Sequence, residues 1–132
     1  MKATIDHVGI AVSDLDGSLR FFRDALGLPL EPPEELPSQR VRAHFLQAGA
    51  GTLELLEPTA EDSPVAKFLA RRGPGIHHLA LRVDDIVAAL AELKAKGVRL
   101  IDEVPRPGAH HSLVAFIHPD STHGVLVELK QV

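Results

Sequence analysis

The chain repeats itself, and the repeat limits its fold more than any other feature. Residues 7–15 read His-Val-Gly-Ile-Ala-Val-Ser-Asp-Leu and residues 78–86 read His-Leu-Ala-Leu-Arg-Val-Asp-Asp-Ile, an offset of 71 residues from His7 to His78. The same offset carries Leu19 onto Leu90 and Phe45 onto Phe116. Each copy closes on a segment bearing a carboxylate, Gly51-Thr-Leu-Glu54-Leu-Leu and Gly124-Val-Leu-Val-Glu128-Leu. A period of this length means two copies of one supersecondary unit. Two imidazoles and two carboxylates therefore fall in equivalent places, and that is the composition of a metal site.

Each copy reads the same way. From Ile5 to Val12 the pattern alternates, with Val8, Ile10 and Val12 on one face and His7, Gly9 and Ala11 on the other. Ser13 or Asp14 is placed to cap a helix carrying Leu15, Leu19, Phe22 and Leu26 inward, stopped at Gly27. In the second copy Leu79, Leu81 and Val83 oppose His78, Ala80 and Arg82, and Asp84 or Asp85 caps a helix with Ile86, Leu90 and Leu93 inward. Strand signals follow at 29–31, 41–47 and 52–56, then at 98–104, 113–118 and 125–129, so each half reads β-α-β-β-β. The half-modules span about 3–58 and 75–131 within a single domain. The connecting segment 59–74 holds Ser63-Pro64 at N-cap and N1 positions of a short helix ending at Gly73.

Strand parity then orients the candidate ligands. Leu53 and Leu55 oppose Glu54, and Val125, Val127 and Leu129 oppose Glu128. If the apolar sets meet the helices, both carboxylates share the side that carries His7 and His78. The chain has no cysteine, so a metal must be held by nitrogen and oxygen, and two imidazoles with two carboxylates suit Co, Ni, Mn, Fe or Zn. Four such ligands on an octahedral ion leave two adjacent positions for substrate. A lone histidine or glutamate on a strand is usually structural or solvated; the matched pairs make the ligand reading the better one.

Other residues read more plainly. Glu57 lies on the strand face opposite Glu54 and reads as surface. Phe21 and Phe22 read as a core pair, His77 as the maker of a structural hydrogen bond, and His110, His111 and His123 as solvent-facing loop residues. Arg71 and Arg72 complement a helix C-terminus, with CoA phosphate as a weaker partner for them and for Arg106. With a net charge of −4 and scattered basic residues, nothing in the sequence suggests a nucleic-acid surface. No apolar run is long enough to cross a membrane, a strand starting this early predicts no signal peptide, and the absence of thiols fits a cytoplasmic location.

These motifs together resemble the vicinal oxygen chelate (glyoxalase/bleomycin resistance) superfamily, and within it the methylmalonyl-CoA epimerases. The similarity is carried by Asp6-His-Val-Gly-Ile-Ala-Val, Leu53-Glu-Leu-Leu-Glu-Pro58, Ser63-Pro-Val-Ala-Lys-Phe-Leu69, Gly75-Ile-His-His-Leu-Ala80, Pro105-Arg-Pro-Gly-Ala109, Phe116-Ile-His-Pro119 and Gly124-Val-Leu-Val-Glu-Leu129. It implies an α+β fold in which two tandem βαβββ modules form a cupped mixed sheet around one divalent ion held by His7, Glu54, His78 and Glu128. Co2+ is the ion it points to first, with Mn2+, Ni2+ and Zn2+ as alternatives. It also implies a homodimer acting on an acyl-CoA, interconverting (2R)- and (2S)-methylmalonyl-CoA in propionyl-CoA metabolism.

In that chemistry a divalent ion chelating the carboxylate and thioester oxygens stabilises the enolate formed at C2. Proton exchange is required at both faces of C2. The resemblance makes Glu128 the first base; for its partner Glu54, His44 and a metal-bound water are candidates, because Ala43 stands where some relatives carry a carboxylate. His118-Pro-Asp120 departs similarly from a lysine-bearing loop. The rival readings are a glyoxalase I-type isomerase, a ring-cleaving dioxygenase, and a metal-free small-molecule-binding protein of the same fold.

Overall fold

A computed structural model describes all residues, 1–132. Packing separates two compact units, residues 7–77 and residues 1–6 with 78–132.

In the first unit, β1 (Ala3–Ala11), whose residues from His7 onward belong to it, pairs in parallel with β4 (Gly51–Pro58), which pairs antiparallel with β3 (Val41–Ala48), which in turn pairs with β2 (Glu34–Leu36). Between β1 and β2 runs α1 (Leu15–Leu19), capped by the Asp14 carboxylate accepting from the Gly17 N–H. The helix continues as a π-helical turn, Arg20–Ala25, in which the Leu26 N–H donates to the Phe21 carbonyl. Val12, Leu19, Leu46 and Leu55 form the buried core here, with Ile10, Leu53 and Phe22 against it. This is the alternating apolar face of β1 meeting its own helix, as the pattern requires.

The π turn corrects two expectations. It inserts one residue into the helical register, so Leu26 no longer follows Phe22 onto the core and is exposed. Phe21 is also exposed rather than half of a core pair; its ring stands edge-on to Phe22 at 5.0 Å. Neighbouring helical positions face about 100° apart, so both could not point inward.

The second unit repeats the plan. β5 (Gly75–Val83), whose residues from His78 onward belong to this unit, pairs in parallel with β8 (Val127–Gln131). β7 (Leu113–Ile117) joins β8 antiparallel, and β6 (Arg106–Pro107) joins β7. Helix α3 (Ile86–Ala95), capped by Asp85 accepting from the Ala88 N–H, lays Ile86, Ala89 and Leu90 on Val83, Ala115, Ile117 and Leu129.

The second strand of each half lies later in the chain than its pattern suggested. Residues 29–31 touch β3 through the Leu30–Leu46 bridge and two flanking backbone bonds, then Pro32 and Pro33 end the pairing and β2 begins at Glu34. Residues 98–104 likewise give one bridge, Leu100–Ile117, before Pro105 and the two-residue β6. Proline has no N–H to donate, so a ladder cannot run through it. Each edge strand is therefore a broken one.

Helix α2 (Pro64–Arg72) fills the segment between the halves where the Ser63-Pro64 signal placed it. The Ser63 hydroxyl accepts from the Val65 N–H and Gly73 ends the helix at φ 74°.

Candidate functional site

Strand register gives both halves one construction. In the first, Glu54 on β4 lies between Gly9 on β1 and Phe45 on β3; in the second, Glu128 on β8 lies between Ala80 on β5 and Phe116 on β7. Cross-strand partners share a face, so each carboxylate projects away from its helix-covered core. On one side its neighbour is a glycine or an alanine, which adds little bulk to that face.

The histidines two residues before Gly9 and Ala80 project to the same faces. His7 Nε2 is 3.1 Å from Glu54 Oε2, and His78 Nε2 is 3.8 Å from Glu128 Oε1. All four side chains are buried, none more than 5% exposed as a residue. Each half thus brings together the imidazole and carboxylate that the repeat assigned to it.

Around His78 the ring of Phe116 stands edge-on, with centroids 5.6 Å apart. His77 points the other way. It meets Phe68 of α2 edge-on at 5.1 Å, and burial pushes its imidazole down to about 4, leaving it neutral at physiological pH.

Two expectations change. His44, offered as a second base, pairs across the ladder with Leu55 and not with Glu54's row, so it faces the opposite side of the sheet from Glu54. There its Nε2 lies 2.7 Å from Glu57 Oε1, and Glu57 is accordingly no plain surface residue but half-buried beside it. Ala43, in contrast, does share Glu54's face, one row from it, with Leu56 as its cross-strand partner. His110, His111 and His123 are exposed, as expected, and all three adopt left-handed φ of 56–60°. Arg72 sits over Phe68 at 5.8 Å as well as closing α2.

Sequence reasoning missed two charged clusters. Asp6 is 8% exposed; its Oδ1 accepts from Arg82 at 2.7 and 3.0 Å and its Oδ2 from Lys130 at 3.0 Å. The dipeptide Asp6-His7 was visible, but only the fold brings residues 82 and 130 to it. Arg106 lies over the ring of Phe116 at 5.7 Å, with Asp102 Oδ1 3.5 Å from its Nε. No local signal announced the Asp102–Arg106 pair, because four-residue spacing joins side chains on a helix and this segment is not helical.

This architecture, two β-α-β-β-β halves each holding a buried histidine–glutamate pair, defines a class. The profile of the glyoxalase/bleomycin resistance protein/dioxygenase superfamily matches residues 6–116, and the chain belongs to that superfamily. Within it, the chain is 40% identical to the ethylmalonyl-CoA/methylmalonyl-CoA epimerase of Cereibacter sphaeroides, over 100% of both chains. A methylmalonyl-CoA epimerase solved in complex with methylmalonyl-CoA and NH4+ is 42% identical with a TM-score of 0.93, covering 99% of this chain and 95% of that one. A Streptomyces coelicolor methylmalonyl-CoA epimerase variant in complex with 2-nitronate-propionyl-CoA is 42% identical with a TM-score of 0.92, covering 97% and 93%. The α+β expectation and the resemblance to the epimerases hold.

Proposed function

We propose that the chain is a metal-dependent epimerase interconverting (2R)- and (2S)-methylmalonyl-CoA. The observation that carries this reading is the duplicated histidine–carboxylate pair, buried at one register in both halves. The similarity to epimerases crystallised with methylmalonyl-CoA and with 2-nitronate-propionyl-CoA supports the substrate.

The donor set fits a divalent ion. Imidazole nitrogen and carboxylate oxygen face each other in each half, and two carboxylates only 4–5% exposed call for positive charge to offset their lost hydration. His7, Glu54, His78 and Glu128 would hold the ion, Co2+ first among the candidates and Mn2+, Ni2+ or Zn2+ behind it. When bound, it supplies a Lewis acid for the substrate's carboxylate and thioester oxygens.

The remaining work falls to the chain. Removal of the C2 proton builds charge on the thioester oxygen, and inversion requires protons to be exchanged at both faces of C2. Glu128 is assigned to one face. Glu54 is assigned to the other, because Ala43 offers no carboxylate on its strand and His44 is turned away.

Incubating one epimer with metal-loaded protein in deuterated water should place deuterium at C2. Absence of exchange with every divalent ion tried overturns the assignment. The same reading carries a single domain of half-modules 3–58 and 75–131 joined by 59–74, a homodimer, a cytoplasmic location and a role in propionyl-CoA metabolism. Light scattering of the purified protein tests the dimer, and cooperative melting in a single transition tests the domain.

A further inference from the structure

Building on the epimerase reading, we infer that Arg106 is an anion-recognising residue that binds the free carboxylate of a malonyl thioester. Arg106 opposes Val114 in the β6–β7 ladder, Phe116 lies two residues further along β7, and Phe116 opposes Glu128. Arg106, Val114, Phe116 and Glu128 therefore share one face of the second half, and Ala80, opposite Glu128, puts His78 on it too.

The guanidinium is held over that face. It lies 5.7 Å above the Phe116 ring, whose edge contact with His78 is 5.6 Å, so one aromatic side chain separates the cation from the imidazole. Asp102 steadies both: Oδ2 accepts the Phe116 N–H at 2.9 Å and Oδ1 lies 3.5 Å from Arg106 Nε. The backbone is equally constrained. Pro105 and Pro107 flank Arg106, and Gly108 approaches so closely that a Cβ there would lie 2.5 Å from Val114 Cγ1.

The same face carries two other long cations, Arg82 and Lys130. Both are bound to Asp6 at 2.7–3.0 Å. A guanidinium presents a planar fork that matches a carboxylate. Its place one ring away from His78 favours the acyl end of the substrate over the distant phosphates of CoA.

Calorimetric binding of malonyl-CoA and malonyl-pantetheine to metal-loaded protein tests this. The second ligand keeps the carboxylate and lacks the nucleotide phosphates. Arg106→Gln should weaken both by about 10- to 100-fold, the loss of a charge-assisted contact, and Arg106→Lys should recover part of it. Metal content and melting temperature, measured on the same samples, should stay at wild-type values. A loss confined to malonyl-CoA would assign Arg106 to phosphate and overturn the inference. Equal binding by wild type and Arg106→Gln would reduce Arg106 to a structural partner of Asp102. Failure of the wild-type protein itself to bind either thioester would overturn the epimerase reading together with this one.

Discussion

Asp6→Asn offers the sharpest test of how the second unit is held together. The Asp6 carboxylate accepts from Arg82 and Lys130 at 2.7–3.0 Å and immediately precedes His7. The two cations do not contribute equally. Arg82's side chain is 51% exposed, so water screens it and its share is at most about 1 kcal/mol. Lys130's side chain is 12% exposed, and without the carboxylate its ammonium is stranded in poor solvent beside another positive charge. Breaking a buried pair by removing one partner costs about 3–5 kcal/mol; because asparagine keeps an acceptor oxygen, about 2–4 kcal/mol is expected. With an unfolding entropy of about 2.1 cal/mol/K per residue over 132 residues, this lowers the melting temperature by about 7–14 °C. Differential scanning calorimetry of the metal-free protein reads the shift. Adding Lys130→Met to Asp6→Asn should recover about half of it, since the stranded ammonium is then gone. A shift under about 3 °C, or no recovery in the double variant, refutes the reasoning.

His78→Ala should cut divalent-metal content at least tenfold by elemental analysis while the protein stays folded, since a ligand is lost but the flanking core of Leu79, Leu81 and Val83 remains. Glu128→Gln is expected to bring deuterium exchange at C2 down by about 100-fold or more, as loss of a general base does; unchanged exchange removes Glu128 from the chemistry. Ser63→Ala should cost about 1 kcal/mol in urea unfolding, because the hydroxyl that accepts the Val65 N–H is lost from a fully buried cap. Gly108→Ala drives a methyl to 2.5 Å from Val114 Cγ1 and should destabilise by about 1–3 kcal/mol, with Val114→Ala relieving it in the double variant. Additivity of those last two changes would show that the β6–β7 turn relaxes instead.

Most of the candidate site was legible because it depends on period-two alternation and on duplication. The offset from His7 to His78, together with the parity of Leu53-Glu54-Leu55 and Val127-Glu128-Leu129, was enough to choose the inward residues and to prefer His78 to His77. The capping residues were readable for a similar reason, since Asp14, Ser63 and Asp85 act within three residues of themselves. What escaped depends on long-range placement or on a change of helical register. Nothing local announces that the first helix passes into a π turn, which is what carries Leu26 off the core. His44 and Glu57 are 13 residues apart and meet only because β3 and β4 pair in one register. Asp6 and Lys130 are separated by 124 residues, beyond any local signal.

The broken edge strands have a consequence for the protein's life in a crowded solution. A sheet ends safely only if its last strand cannot recruit another. In the first half Pro32 and Pro33 interrupt the outermost run, and in the second Pro105 and Pro107 bracket a strand of two residues. Neither border offers a continuous row of donors on which a foreign chain could zip up. The residues that confounded a simple strand assignment thus serve as stops against edge-to-edge aggregation, and replacing them with good strand formers would trade solubility for a longer ladder.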